Sequence, residues 1–466
     1  MPSQGQDRSV LGTGPIGSLV FKFSLPSIVA MLVSSLYNIV DQYFIGRSVG
    51  ELGNAATNIS FPLTLLCTAL ALLFGVGGAA NFNITMGKAQ INPAEKETAP
   101  HYLGKSMLML VTLGVILMAV TLIFLRSLLV FFGSPADVLG LAETYTGIVA
   151  IGFPFVIFAT GAANLIRADG RPRSAMTCNI VGAAVNTVLD AWFVFGLGWG
   201  MAGAAWATVI GQVCSGSTAA FMLSRAQTVK IRASHIFTNV PPYVKRIVAL
   251  GLAPTFNQLA MMVVMIFLNN SFRHYGAQSV YGESIPIAAS GIISKVNMIF
   301  MSFVIGLSQG MQPIVSFNYG ARNYQRARQA YLRTCTIGFV IAAVFFACFQ
   351  LFPRQIISVF GPGSEEYYAF AIQYFRIFLF FTFLNFLQPI STNLFTAIGV
   401  PKRGILLSLT RQIILLLPLI LLLPLFMGIE GILYAGPIAD LGAAIITFIV
   451  VRREFRRPQY TEPQPA

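Results

Sequence analysis

The feature that most constrains this chain is the recurrence of apolar runs about as long as a bilayer is thick. A helix crosses the hydrocarbon core with about 20 mostly apolar residues. Such runs lie at roughly 20–45, 55–83, 105–131, 145–168, 174–196 and 201–223. After a polar interruption they resume at roughly 246–270, 286–317, 331–353, 367–397, 403–426 and 430–451. The runs are continuously apolar and do not alternate, which excludes the strands of a membrane barrel. A water-soluble fold is excluded by charge, since only 10% of the 466 residues are charged, against about 25% in ordinary soluble domains. The sequence therefore predicts an all-α polytopic membrane protein with twelve transmembrane helices.

The distribution of basic residues fixes how such a chain sits in the membrane. The net charge is +14, an excess that in a soluble protein would suggest nucleic acid. Here 23 of the 30 Lys and Arg fall on one side, if spans are counted from an internal N-terminus. They include Arg8 and Lys22, Lys88 to Lys105, Arg167 to Arg173, Arg225 to Arg246, Arg322 to Arg333, Lys402, Arg403, and Arg452 to Arg457. The opposite side has Arg47, Arg126, Arg273 and Arg354. By the positive-inside rule both termini face the cytoplasm, with no call for nucleic acid; the expected location is the plasma (inner) membrane. The five cysteines sit in apolar runs without C-x-x-C spacing and read as small buried hydrophobes. His101, His235 and His274 stand singly in polar connections, so no metal site is indicated. The polar start of the chain lacks the pattern of a cleaved signal peptide.

The chain also repeats itself at an offset of about 230 residues. Leu25-Pro26-Ser27 corresponds to Ala253-Pro254-Thr255, and Asn164-Leu165-x-x-Ala168-x-Gly170-x-Pro172-Arg173 to Asn393-Leu394-x-x-Ala397-x-Gly399-x-Pro401-Lys402. Gly200-x-x-Gly203 with Ala207 corresponds to Gly428-x-x-Gly431 with Ala435. The expected organisation is a tail 1–17, an N-lobe 18–224, an inter-lobe loop 225–245, a C-lobe 246–451 and a tail 452–466. Six spans return the chain to its starting side, so the lobes are parallel repeats related by an axis along the membrane normal. Two such bundles around a cleft form transporter architecture, with the site near the midplane. Pro26 and Pro254 are expected to kink the first span of each lobe.

Six ionisable residues lie at membrane depth: Asp41, Asp190, Lys295, Arg376, Arg411 and Asp440. Such positions are costly and mark functional candidates. Asp41 follows Tyr37 and Asn38. Asp190 has Asn186 four residues earlier, on the same helical face. A short hairpin through Gly196, Gly198 and Gly200 would bring Thr208 near both. Two carboxylates, an amide and a hydroxyl supply hard oxygen ligands for an alkali cation, and a carboxylate in an apolar lobe also suits reversible protonation. Na⁺ and H⁺ stay equally open as the coupling ion. The repeat partners of Asp41, Asn186, Asp190 and Thr208 are Asn269, Leu415, Leu419 and Gly436, so this cluster occurs once. Lys295, Arg376, Arg411 and Asp440 give the C-lobe a mostly basic interior, open to either structural pairing or gating.

At these residues the sequence resembles the multidrug and toxic compound extrusion (MATE) family, over nearly the whole chain. The resemblance is carried by Pro26, Leu36-Tyr37-Asn38-Ile39-Val40-Asp41-Gln42-Tyr43-Phe44-Ile45-Gly46, Leu52-Gly53-Asn54-Ala55-Ala56, and Gly310-Met311-Gln312-Pro313. Phe317-Asn318-Tyr319-Gly320-Ala321 and the two Ala-x-Gly-x-Pro loops extend it. It implies a V-shaped pair of six-helix lobes, closest to the DinF/MepA-like branch, and not an enzyme. The implied function is secondary active efflux: a cation-coupled (Na⁺ or H⁺) antiporter exporting small amphipathic organic cations or drugs as a monomer in the bilayer, with no cofactor. The resemblance further assigns Asp41, Asn186, Asp190 and Thr208 to cation coupling and Tyr37, Asn38 and Asn164 to the substrate cavity. Acidic residues that another branch places in spans seven and ten are replaced here by Asn257, Gln258 and Arg376. Two rivals remain in view. A flippase for lipid-linked oligosaccharide or another anionic lipid would account for the basic C-lobe. A membrane-embedded enzyme lacks any nucleophile–base pair, metal spacing or phosphate loop in this sequence.

Overall fold

The computed structural model describes residues 11–132, 134, 136–238, 240–282, 284–359 and 364–461. Residues 1–10 of the expected N-terminal tail, Arg8 among them, and 462–466 of the C-terminal tail lie outside the described residues. Spans 1 to 3 are Ile16–Ser48, Glu51–Lys88 and Ala99–Ile123. Span 4 comprises Ala136–Ile151 and Phe153–Ala168, and span 5 runs Pro172–Asp190 into a π-helical turn at Ala191–Gly196. Span 6 is Gly200–Ser224. In the second half, spans 7 to 9 are Val240–Ala277, Ser284–Gly320 and Tyr324–Leu351. Span 10 comprises Glu365–Phe378 and Leu387–Ala397. Span 11 comprises Pro401–Leu409, a π-helical stretch Thr410–Leu416 and Leu417–Met427, and span 12 is Ile429–Phe455.

Ten of these spans are long and apolar enough to cross a membrane by length and composition, and the bent pair of span 4 makes an eleventh. Span 6 is the twelfth. Its Gly, Ala, Ser and Thr content lowers its hydropathy while letting it pack closely on spans 4 and 5. Span 4 is longer than the sequence suggested. It starts at Ala136 and not near 145, and turns by 54° at Gly152, where Pro154 lacks the N–H a continuous helix would use. Span 10 breaks at the corresponding place, unwinding between Phe378 and Leu387. Pro26 and Pro254 both lie inside continuous helices.

The two halves meet through spans 1, 2, 7 and 8, at the end of the bundle that carries the chain termini. Glycines make this possible. A Cβ on Gly251 of span 7 would lie 1.9 Å from the Leu73 carbonyl oxygen of span 2, and one on Gly77 would lie 2.1 Å from that of Ile247. Spans 2 and 8 repeat the arrangement symmetrically: Gly87 abuts the Phe317 carbonyl and Gly320 the Ile84 carbonyl. Hydrogen bonds across this seam include Ser24 Oγ to Leu307 O, Gln312 Nε2 to Val76 O, Asn81 Nδ2 to Arg246 O and Thr255 Oγ1 to Ala69 O. Ser35 and Ser302 are joined at 2.6 Å farther along spans 1 and 8.

The loops at this end are also tied down. Buried Asp169 pairs with Arg171 at 2.8 Å and accepts the backbone N–H groups of Gln227 and Thr228, fixing the start of the inter-lobe loop. One expectation fails here: His101 and His235 do not stand singly. Their rings meet edge to face at 4.8 Å because the linker helix Ala233–Phe237 packs on the start of span 3.

The seam predicts a stability contrast. Gly251→Ala forces a methyl group into backbone and should cost about 1–3 kcal/mol. Gly291→Ala meets nothing within 4 Å and should be neutral or better. Thermal unfolding of the purified protein followed by tryptophan fluorescence checks this; equal midpoints would show the seam to be compliant.

Candidate cation and substrate site

The acidic cluster is assembled from three spans. Asp41 of span 1 and Asp190 at the end of span 5 adjoin within hydrogen-bonding reach, with Asp190 fully buried and Asp41 nearly so. Asn186, one turn before Asp190, is also buried and directs its Nδ2 to Thr208 Oγ1 of span 6 at 3.4 Å. Asp41 Oδ1, Asn186 Oδ1 and both carboxylate oxygens of Asp190 are buried without a hydrogen-bond donor among the described residues. Buried oxygens of this kind are rarely left unpaired in folded proteins, and a cluster of them calls for an explanation. Chemically, the set fits a bare cation of the alkali class or one or two protons.

Local backbone features hold the cluster in place. Spans 5 and 6 approach so closely that a Cβ on Gly211 would lie 2.8 Å from the Gly182 carbonyl and 2.9 Å from Asn186 Cβ. The π-helical turn begins directly after Asp190, a deviation often found at functional sites. The chain then reverses through Gly198 and Gly200, with φ of +70° and +53°, values that favour glycine. This is the hairpin expected from the glycine spacing, and it delivers Thr208 to the cluster.

Tyr37 of span 1 lies electrostatically close to both carboxylates with its hydroxyl in reach of Asn38, whose amide donates to Ser34 O at 2.7 Å. Asn164 is buried at the far end of span 4; its Oδ1 accepts from Arg167 at 2.7 Å and its Nδ2 donates to Thr160 O. Both of its polar ends are thus engaged within its own helix. Tyr145 of span 4 was not singled out from the sequence. It is buried, in hydrogen-bonding reach of Thr208 and electrostatically close to Asp41, Tyr37 and Asp190. The apolar run placed the start of span 4 at Tyr145 itself; the extra turns before it are what carry this residue to the depth of the cluster.

The C-lobe charges separate into two kinds. Arg411, carried by the π-helical stretch of span 11, pairs with buried Asp440 at 2.6 Å, and Asn385 donates to the other Asp440 oxygen at 2.9 Å. The latter bond anchors the break in span 10. Arg376 is exposed, lining a groove of about 500 Å³ with Phe380, Phe381 and Tyr434. Lys295 of span 8 is half-buried. It lies two turns from Ser302 on the same helical face, and therefore on the side turned toward span 1.

The MatE family model matches the chain twice, over residues 26–192 and 255–422. The chain belongs to the MatE family. The two matches reproduce the internal repeat, and the family is one of transporters, not enzymes. Among curated relatives, the FAD transporter of Shewanella oneidensis is 24% identical over 466 residues, covering 96% of this chain and 97% of its own. The multidrug export protein MepA of Staphylococcus aureus is 22% identical over 438 residues, 94% of each chain. Two solved structures share the fold. One is a MOP superfamily transporter from Pyrococcus furiosus, described as having a binding pocket of reversed polarity that suggests a different function (TM-score 0.88, 24% identity, 97% of this chain and 98% of that one). The other is a multidrug resistance MATE family transporter in an outward-facing conformation (TM-score 0.87, 24% identity, 97% and 98%).

Within this MATE scaffold the Arg411–Asp440 pair predicts a stability signature. Asp440→Asn leaves a half-buried guanidinium uncompensated and should cost about 2–4 kcal/mol, below the full buried-pair penalty because Arg411 is partly exposed, whereas replacing both residues by apolar ones of similar size should be near neutral. Thermal unfolding of Asp440→Asn beside an Arg411→Met, Asp440→Leu double variant checks this. A double variant no more stable than the single one would show that the pair is not acting as a structural unit.

Proposed function

We propose that this MATE transporter is a cation-coupled antiporter that exports amphipathic, cationic compounds by alternating access. The reading rests on one observation: the Asp41–Asp190 pair, whose buried oxygens lack donors among the described residues and whose neighbours include Tyr37 and Tyr145. Two adjoining carboxylates in a low-dielectric lobe need a compensating cation or proton. A cationic substrate beside the pair would compete for the same charge. With the lobes joined at the end bearing the termini, the cluster faces outward if those termini are cytoplasmic. Uptake of Na⁺ or H⁺ from outside then weakens the hold on the substrate, which leaves; on the inner side the ion is lost and new substrate binds. Such exchange requires that the ion bind the two arrangements with different affinity.

Ethidium transport in reconstituted vesicles under separately imposed Na⁺ and proton gradients tests this. Asp190→Asn and Asp41→Asn should each reduce gradient-driven transport about tenfold or more, the range of an ordinary coupling free energy, without lowering the unfolding midpoint. Undiminished transport in both variants would remove the N-lobe cluster from the mechanism. Tyr145→Phe should have a smaller effect in the same direction, since it removes one hydroxyl near Thr208 and no charge.

A second reading is supported by Lys295 and Arg376, neither of which has a carboxylate partner among the described residues, and by the relative named as an FAD transporter. On that reading the cargo is anionic, a flavin nucleotide or an anionic lipid. FAD movement across the same vesicles that is lost in Lys295→Gln, with ethidium left unmoved, would favour it over cation export.

A further inference from the structure

The duplication places two matching crevices at the end of the bundle that carries the termini, one between spans 3 and 7 and the other between spans 9 and 1. They are occupied differently. At the first, the linker helix Ala233–Phe237 packs on the start of span 3. Lys105 Nζ donates to the His235 carbonyl at 2.7 Å, and Gly104 lies against the same carbonyl, where a Cβ would come within 2.7 Å. The basic side chain of that crevice is satisfied by the chain itself.

The second crevice encloses about 830 Å³ and is lined by Pro15, Ile16 and Gly17 on one wall and Arg326, Gln329, Leu332, Arg333 and Thr336 on the other. No carboxylate pairs with Arg326 or Arg333 among the described residues. Arg326 donates to the Asn318 side chain and to the carbonyls of Leu11 and Gly14, all neutral groups, and Arg333 is exposed. From this basic mouth an apolar track leads toward the membrane centre. On span 9 it continues through exposed Phe339, Val340 and Val344; on span 1, through Phe21 and Leu25, which share a helical face with Gly17. The polar part lies at headgroup depth, and the apolar part lies where acyl chains run. Basic pockets between helices at a membrane surface recognise anionic headgroups.

We propose that the crevice between spans 1 and 9 binds an anionic phospholipid from the leaflet at the termini's end, its phosphate at Arg326 and Arg333 and an acyl chain along Leu332, Phe339, Val340 and Val344. The crevice lies at the end of the bundle where, in the other half, the linker helix docks on span 3. Its two walls belong to different lobes, so an occupant joins them as Arg326 already does through the Leu11 and Gly14 carbonyls.

Native mass spectrometry of the full chain with phosphatidylglycerol or phosphatidylcholine of matched acyl chains tests the assignment. Phosphatidylglycerol should be retained preferentially, by about fivefold for each arginine engaged. Arg333→Gln should lose most of that preference with an unchanged unfolding midpoint, while Arg173→Gln, an exposed arginine elsewhere at the same end, should keep it. A photoactivatable phosphatidylglycerol should label peptides spanning 326–336. Equal retention of the two lipids, unchanged preference in Arg333→Gln, or labelling confined to Arg452–Arg457 would each overturn the proposal. Full displacement by millimolar inorganic phosphate would also do so, by making this a site for free anions.

Discussion

An apolar medium leaves a buried polar group few partners, and this restriction orders the whole molecule. Backbone groups satisfy it by forming helices, and intramembrane side chains must find partners in protein or cargo. One polar site of the C-lobe meets the requirement internally: Arg411, Asp440 and Asn385 satisfy one another. The acidic cluster of the N-lobe does not, because its two adjoining carboxylates share no guanidinium or ammonium among the described residues. The same scaffold, duplicated, thus carries one polar site that is closed and one that, on the proposed mechanism, a mobile ion completes.

Much of this was legible in the sequence because it depends on spacing. Asn186 and Asp190 share a face by helical periodicity, and the Gly196–Gly200 hairpin is the shortest route by which Thr208 could reach them. The 6+6 repeat was readable as matched motifs, and the family model finds the same two copies. Lost to sequence reasoning was whatever depended on packing between distant segments. Tyr145 joined the cluster only because span 4 begins nine residues before it and bends at Gly152. The resemblance implies a cavity role for Asn164, and nothing in the spacing announces that Arg167, one turn on, takes its oxygen. His101 and His235 looked solitary because nothing local announces that the linker helix docks on span 3. Hydropathy also undervalues span 6, whose small residues serve close helix packing at the expense of apolar content.

Small residues recur wherever two backbones must meet: Gly211 between spans 5 and 6, Gly77 and Gly251 between spans 2 and 7, Gly87 and Gly320 between spans 2 and 8. The first of these lies within a lobe and the others between lobes, which gives them different consequences. Contact within a lobe fixes the cluster geometry. Contact between lobes depends on backbone surfaces of complementary shape and a few hydrogen bonds, with no charge pair among the bonds named across it. Such an interface has discrete packed arrangements and does not deform continuously, a property that rigid lobes in a rocking mechanism require.

Span 1 is the element on which these requirements converge. Its first half holds Ser24 against Gly310 and Ile28 against Gly306 in the seam, and its second half presents Asp41 to Asp190. Seventeen residues separate Ser24 from Asp41, about 25 Å of helix. Span 5, which supplies Asp190, packs against span 1 but is absent from the seam helices. A change of charge at the carboxylate pair, on the proposed mechanism, alters how span 1 lies on span 5, at one end, while the other end of the same helix forms part of the seam between the lobes. On the proposed mechanism this makes span 1 the shortest mechanical connection between ion binding and opening, and it locates the coupling in a single continuous helix that carries Pro26 beside the seam.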